Sequence, residues 1–163
     1  MHTRTRRAAA LAVLALLPLA GCAGTDAASS EPLAIADAWV KTAESGMTAA
    51  FGTLTNSTDA DITVTGASTP AAPMVELHDV IDGTMMEVDG GFTVPANGTL
   101  TLEPGALHLM LMKMTEPIIA GDDVAITLEL STGDTLEFEA LAKDFDGAEE
   151  DYESDHDDMS HDG

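Results

Sequence analysis

The seven residues "HLMLMKM", 108–114, place His108, Met110, Met112 and Met114 on alternate positions. In a β-strand, side chains two residues apart share a face. One imidazole and three thioethers would then lie on one side, opposite Leu109, Leu111 and Lys113. A second imidazole, His78, ends the run "MVELH" with Met74 and Glu76 on its own face, and Met85 and Met86 follow across "DVIDGT". A hairpin at that turn would fold one of these two methionines back towards His78. If the two His-bearing strands are neighbours, two imidazoles and two thioethers converge. Thioether sulfur is a poor ligand for Zn²⁺, Ca²⁺ or Mg²⁺ and a good one for Cu(I), and imidazole also suits copper. With no thiolate and no close carboxylate, such a set leaves the charge of Cu(I) uncompensated and holds an ion that can be exchanged. The competing account is packing, since Met fills gaps in apolar interiors and a His at a strand end is commonly solvated or hydrogen-bonded.

The elements that must position these residues read as short strands. From Leu33 to about Ala142 the chain breaks into runs such as "IADAWVK", "MTAAFGTLTN", "MVELHDV", "TMMEV", "TLTLEPG", "DVAITLEL" and "TLEFEALA". Several alternate apolar with polar residues, the period of a half-buried strand. Turn chemistry separates them, in "NSTDAD", "IDGT", "PANGT", "AGDD" and "STGD". No stretch carries a helical pattern over three turns. The expected fold is all-β, an antiparallel Greek-key sandwich or barrel.

The ends have their own character. Arg4, Arg6 and Arg7 precede the apolar run "AAALAVLALLPLA" (8–20), and the run closes on "LAGC", which ends at Cys22. This is the layout of a signal peptide, and "LAGC" resembles the lipobox of bacterial lipoproteins, in which the Cys is lipidated. The expected organisation is a lipoprotein signal peptide at 1–22, a flexible tether at 23–32, a β-sandwich domain at 33–143 and an acidic tail at 144–163. The chain would be exported and anchored through Cys22 to the outer face of the bacterial cytoplasmic membrane. Cys22 is the only cysteine, so no disulfide framework or thiolate centre is available to the domain. A blue-copper electron-transfer site, which needs a Cys thiolate, is thereby excluded.

All 29 acidic residues lie after Cys22, but only three of the six basic ones do, giving 3 − 29 = −26 for the mature chain. That charge repels nucleic acid, and its self-repulsion favours a monomer. No Gly-x-Ser-x-Gly elbow, zincin motif or phosphate-binding glycine loop is present, so an enzyme is not expected. The tail holds ten acids in twenty residues together with His156, Met159 and His161. It is expected to be disordered, and its nitrogen and oxygen donors suit Cu(II).

Several stretches together resemble the periplasmic Cu(I) chaperone family, often called PCuAC, linked to assembly of the Cu-A centre of cytochrome c oxidase. They are "AWVK", "TNSTDADITVTGASTPAAPMVELHD", "GFTVPANGTLTLEPGALHLMLM" and "AGDDVAITLEL", and the likeness covers about 35–142. The family motif is His, ten residues, Met, twenty-one residues, His, one residue, Met. Met86, His108 and Met110 reproduce its second half, while seven residues rather than ten separate His78 from Met86. A shorter hairpin loop accommodates that difference. The resemblance implies a cupredoxin-like (immunoglobulin-like) sandwich and a Cu(I) site of His78, Met86, His108 and Met110. Met86 is preferred to Met85 for its spacing to His108. Met112 and Met114 are assigned to packing, with Met112 a possible relay, and His156, Met159 and His161 to a secondary Cu(II) site. The implied function is delivery of Cu(I) to a cytochrome c oxidase subunit or another copper-accepting assembly protein. Copper buffering or resistance, and a non-metal cell-surface interaction module, are the alternatives.

Overall fold

The computed structural model describes residues 31–147. The expected signal peptide, nearly all of the tether, Cys22, His156, Met159 and His161 lie outside the described residues. Ten strands follow one another: β1 (Leu33–Lys41), β2 (Gly46–Asn56), β3 (Ile62–Ser68), β4 (Met74–Ile81), β5 (Thr84–Glu87), β6 (Phe92–Val94), β7 (Thr99–Leu102), β8 (His108–Met114), β9 (Asp123–Leu130) and β10 (Thr135–Lys143). Among the described residues there is no helix, and the fold is all-β.

The strands hydrogen-bond in the order β5-β4-β8-β2-β1-β10-β9-β3-β6, with β7 beside β2. Every pairing is antiparallel except β1 with β10, which is parallel. That pair departs from the wholly antiparallel expectation. It joins the first and last strands, so no tight turn has to connect them.

β2 serves two neighbours, pairing with β8 over Gly46–Ala50 and with β7 over Gly52–Thr55. The change of partner coincides with a bend. β1 gains an extra residue between Ala36 and Trp39, where Asp37 has φ 54°, as a β-bulge requires. Opposite it stands Gly52, where a Cβ would lie 3.0 Å from Ile35 Cδ1 and 3.2 Å from the Ala36 carbonyl oxygen. The bend brings the inner faces of the strands around one core, built from Val40, Leu54, Val64, Leu77, Phe92, Leu109, Leu111, Ile126 and Leu128 among others. Each such side chain contributes about 1.5–3 kcal/mol by leaving water.

β8 differs from its neighbours because it is buried on both sides. Leu109 and Leu111 belong to the core, whereas His108, Met110 and Met112 are equally buried but lie outside that cluster. A second bulge lies on β8, where Met112 and Lys113 together stand opposite Met47 of β2 and Lys113 has φ 60°. The extra residue reverses the alternation. Met114 turns into the core, and so does not share a face with His108, as regular spacing would have it.

A non-Gly residue at positive φ carries a penalty of about 1–2 kcal/mol. Lys113→Gly is therefore expected to leave stability in urea unchanged or raised by up to about 1 kcal/mol, because the relieved strain exceeds the added unfolded-state entropy. Lys113→Val should lower it by more than about 1 kcal/mol. A Gly variant less stable than the wild type by that amount would show that the bulge is not strained.

Candidate metal centre

The pairing of β4 with β8 sets the geometry. Five residue pairs lie opposite one another: Met74↔Met112, Val75↔Leu111, Glu76↔Met110, Leu77↔Leu109 and His78↔His108. Leu77 and Leu109 point into the core, so His78, Glu76 and Met74 face outwards with His108, Met110 and Met112. The two imidazole centroids are 5.7 Å apart with their planes inclined by 64°.

Aromatic rings extend this row across the sheet. Phe51 on β2 lies 6.2 Å from His108, and Trp39 on β1 lies 4.5 Å from Phe51. Both were missed by a reading that followed only potential ligands. Their signal was present in "AWVK" and "TAAFG", where a ring stands next to a small or β-branched core residue.

His78 and His108 are each only 2% exposed and Met110 3%. Buried imidazoles must be hydrogen-bonded. His108 Nδ1 lies 2.8 Å from the Ala106 carbonyl oxygen, and His78 Nε2 lies 2.9 Å from Glu76 Oε2. Both partners only accept, so in a neutral ring the proton sits on Nδ1 of His108 and Nε2 of His78. The lone pair is then on His108 Nε2 and His78 Nδ1. A carboxylate or carbonyl behind an imidazole is the usual outer partner of a metal-binding His, fixing tautomer and ring orientation. Glu76 also corrects the expectation that no carboxylate stands close to the pair.

The methionines divide by register. The turn joining β4 to β5 is the two-residue Asp82–Gly83, both with positive φ (54° and 83°), the geometry that Asp-Gly favours in a tight hairpin. It pairs Ile81 with Thr84, Val80 with Met85, Asp79 with Met86 and His78 with Glu87. Met85 therefore shares the face of His78, while Met86 points the other way and is 51% exposed. The residue preferred for its spacing to His108, Met86, thus lies on the face opposite His78. Met85, His108 and Met110 line one surface cavity of about 320 Å³, together with Met47, Phe51 and Lys41. Met112 lies on the same face, one row further along β8.

Two imidazoles with thioethers beside them form a soft, uncharged donor set of the kind that suits Cu(I). Among the described residues, no three His, Cys, Asp or Glu side chains cluster as a harder metal site.

The fold is that of PCuAC domains. The apo PCuAC domain from PmoF1 superposes with a TM-score of 0.62 at 13% identity, covering 71% of this chain and 96% of that domain. At such identity the likeness is one of fold. Cu(I)-DR1885 from Deinococcus radiodurans is 35% identical, with a TM-score of 0.56 over 71% of this chain and 83% of its own. A protein of Leifsonia xyli subsp. xyli, named "Putative lipoprotein Lxx21020", is 40% identical over 161 residues, 92% of this chain and 96% of its own length. The profile described as "Putative lipoprotein LpqE-like" matches residues 33–142, and the chain belongs to this LpqE-like family. Neither the family nor these relatives are named for a catalysed reaction.

The tautomers can be read directly by ¹⁵N-detected NMR of the metal-free protein at a pH where both rings are neutral. His108 should appear as the Nδ1–H form and His78 as Nε2–H, and Glu76→Leu should leave His78 a mixture. A His108 protonated on Nε2 would contradict the hydrogen bond to Ala106.

Proposed function

We propose that the protein is a lipid-anchored extracytoplasmic copper chaperone that holds one Cu(I) tightly between His78, His108, Met110 and Met85. The observation that carries this reading is the cross-strand pair His78↔His108, with Met110 two residues along β8 and with Met85, His108 and Met110 lining one cavity. Its donors match the preference of Cu(I) for thioether and imidazole, and DR1885, at 35% identity, is a protein whose solution structure was solved with Cu(I).

In this reading the lone-pair nitrogens, His78 Nδ1 and His108 Nε2, are the imidazole ligands, held in place by Glu76 and the Ala106 carbonyl. Met110 is a fixed ligand on a central strand, and Met85 a more mobile one on the edge strand β5. The His side chains are buried, so the ion exchanges through the cavity that opens beside Met85 and His108. An acceptor's thioether or thiolate replaces Met85 first and the imidazoles last. Neutral donor atoms favour this, because the carboxylate of Glu76 stands behind His78 rather than on the ion.

The remaining parts of the reading concern the cell. Cys22, at the end of the lipobox-like "LAGC", anchors the protein at the outer face of the cytoplasmic membrane, and the tether lets the domain reach a membrane-bound acceptor. That acceptor is a cytochrome c oxidase copper centre or one of its assembly factors. His156, Met159 and His161, set among carboxylates, form a harder donor set that takes Cu(II).

Anaerobic titration against a chromogenic Cu(I) chelator tests the centre. The wild type should hold one Cu(I) tightly. His108→Ala and Met110→Leu should each weaken it by about tenfold or more, since changes even to the partners behind metal ligands cost about 10–100-fold. Met85→Leu should weaken it and Met86→Leu should not. Absence of tight binding would overturn the reading, and sensitivity at Met86 alone would overturn the ligand choice.

A further inference from the structure

Five of the seven described methionines, Met47, Met74, Met85, Met110 and Met112, lie on the outward face of four adjacent strands, leaving Met86 on the other face and Met114 in the core. In the core cluster, by contrast, Met114 is the single Met among 22 buried residues. Leu or Ile would cover the outer face as well as Met does. The concentration of thioethers there calls for a reason beyond burial.

Three of them stand in one row. Met74 on β4 lies directly opposite Met112 on β8, at a Cβ separation of about 4.5–5.5 Å. On the other flank of β8, Ala49 pairs with Met110 and Gly46 with Met114, with the irregularity between them. Met47 therefore falls opposite Met112 and Lys113. It lies two residues from Ala49 on the same side and lines the same cavity as Met110. The row Met74, Met112, Met47 runs parallel to the row of His78 and His108, two rungs along β8. Met110 stands between the rows, roughly 7 Å from each at strand spacing. Exposure falls from Met47 at 42% to Met112 at 7%, so the row leads from solvent into the sheet face.

We propose that Met47, Met74 and Met112 form a second, all-thioether Cu(I) station next to the His-containing centre, with Met110 shared between the two. Three neutral sulfurs select Cu(I) over harder cations. Lacking imidazole and carrying a half-exposed ligand, this station binds more weakly and exchanges faster. It passes the ion to Met110 and then to the imidazoles. The inference rests on the copper reading of the neighbouring centre, and its test separates the two.

The test uses the full chain carrying Cys22→Ser, so that no thiol competes, with ¹³C-methyl-labelled methionine and anaerobic Cu(I) additions followed by NMR. The first equivalent should shift the Met110 and Met85 methyl signals, and the second those of Met47, Met74 and Met112. The double variant Met74→Leu/Met112→Leu, which conserves core-like volume, should lose the second response and keep the first. His108→Ala should lose the first and keep the second. A second equivalent that leaves the three methyl signals unmoved, or moves only Met159, would overturn the second station while sparing the His centre. A first equivalent that leaves Met85 unmoved, with the thioether row and Met110 responding, would overturn the centre and spare the row.

Discussion

The chemistry of this domain depends on the parity of one ladder. Between Met74↔Met112 and His78↔His108, β4 and β8 alternate a pair for the core with a pair for the outer face. A slip of one residue would exchange the faces, burying imidazole and carboxylate in the core and turning Leu77, Leu109 and Leu111 to the outside. The Leu pairs forbid that slip, because each contributes about 1.5–3 kcal/mol only in the observed register. Hydrophobic burial on one side thus fixes the placement of the imidazoles and thioethers on the other, and these side chains need contribute nothing to stability themselves.

The outer layer adds constraint of a different kind. Phe51 and Trp39 continue the imidazole row, and Phe145 stands edge-on to Trp39 at 5.4 Å, so rings wall one side of the site. On the other side the Asp82–Gly83 turn sets which β5 residue shares the face of His78. Glu76 and the Ala106 carbonyl orient the two imidazoles. Preorganisation here means that tautomer and ring plane are set before any ion arrives. Met85, by contrast, stands on the edge strand β5.

The strands were legible as short runs between turn residues, several of them alternating, because hydrophobic period and turn chemistry are local properties. The outward convergence of His78, His108 and Met110 was legible too, given that β4 and β8 are neighbours. The side on which Met85 and Met86 fall was also written in the chain, because a two-residue Asp82–Gly83 hairpin places Met85, not Met86, on the face of His78. Other features were not legible. The Lys113 bulge, which sends Met114 into the core, arises from pairing with β2, and no nearby residue announces it. The Glu76–His78 contact depends on side-chain direction, and the parallel β1–β10 pair on how the whole sheet closes.

The central claim is that two imidazoles and two thioethers from β4, β5 and β8 close on a single Cu(I). X-ray absorption at the copper edge, on protein loaded anaerobically with slightly less than one equivalent, tests it most directly. The expected spectrum is that of Cu(I) with nitrogen and sulfur in its first shell in equal number, carrying the outer scattering of two imidazole rings. A shell of nitrogen and oxygen without sulfur, or one with no imidazole scattering, would contradict it.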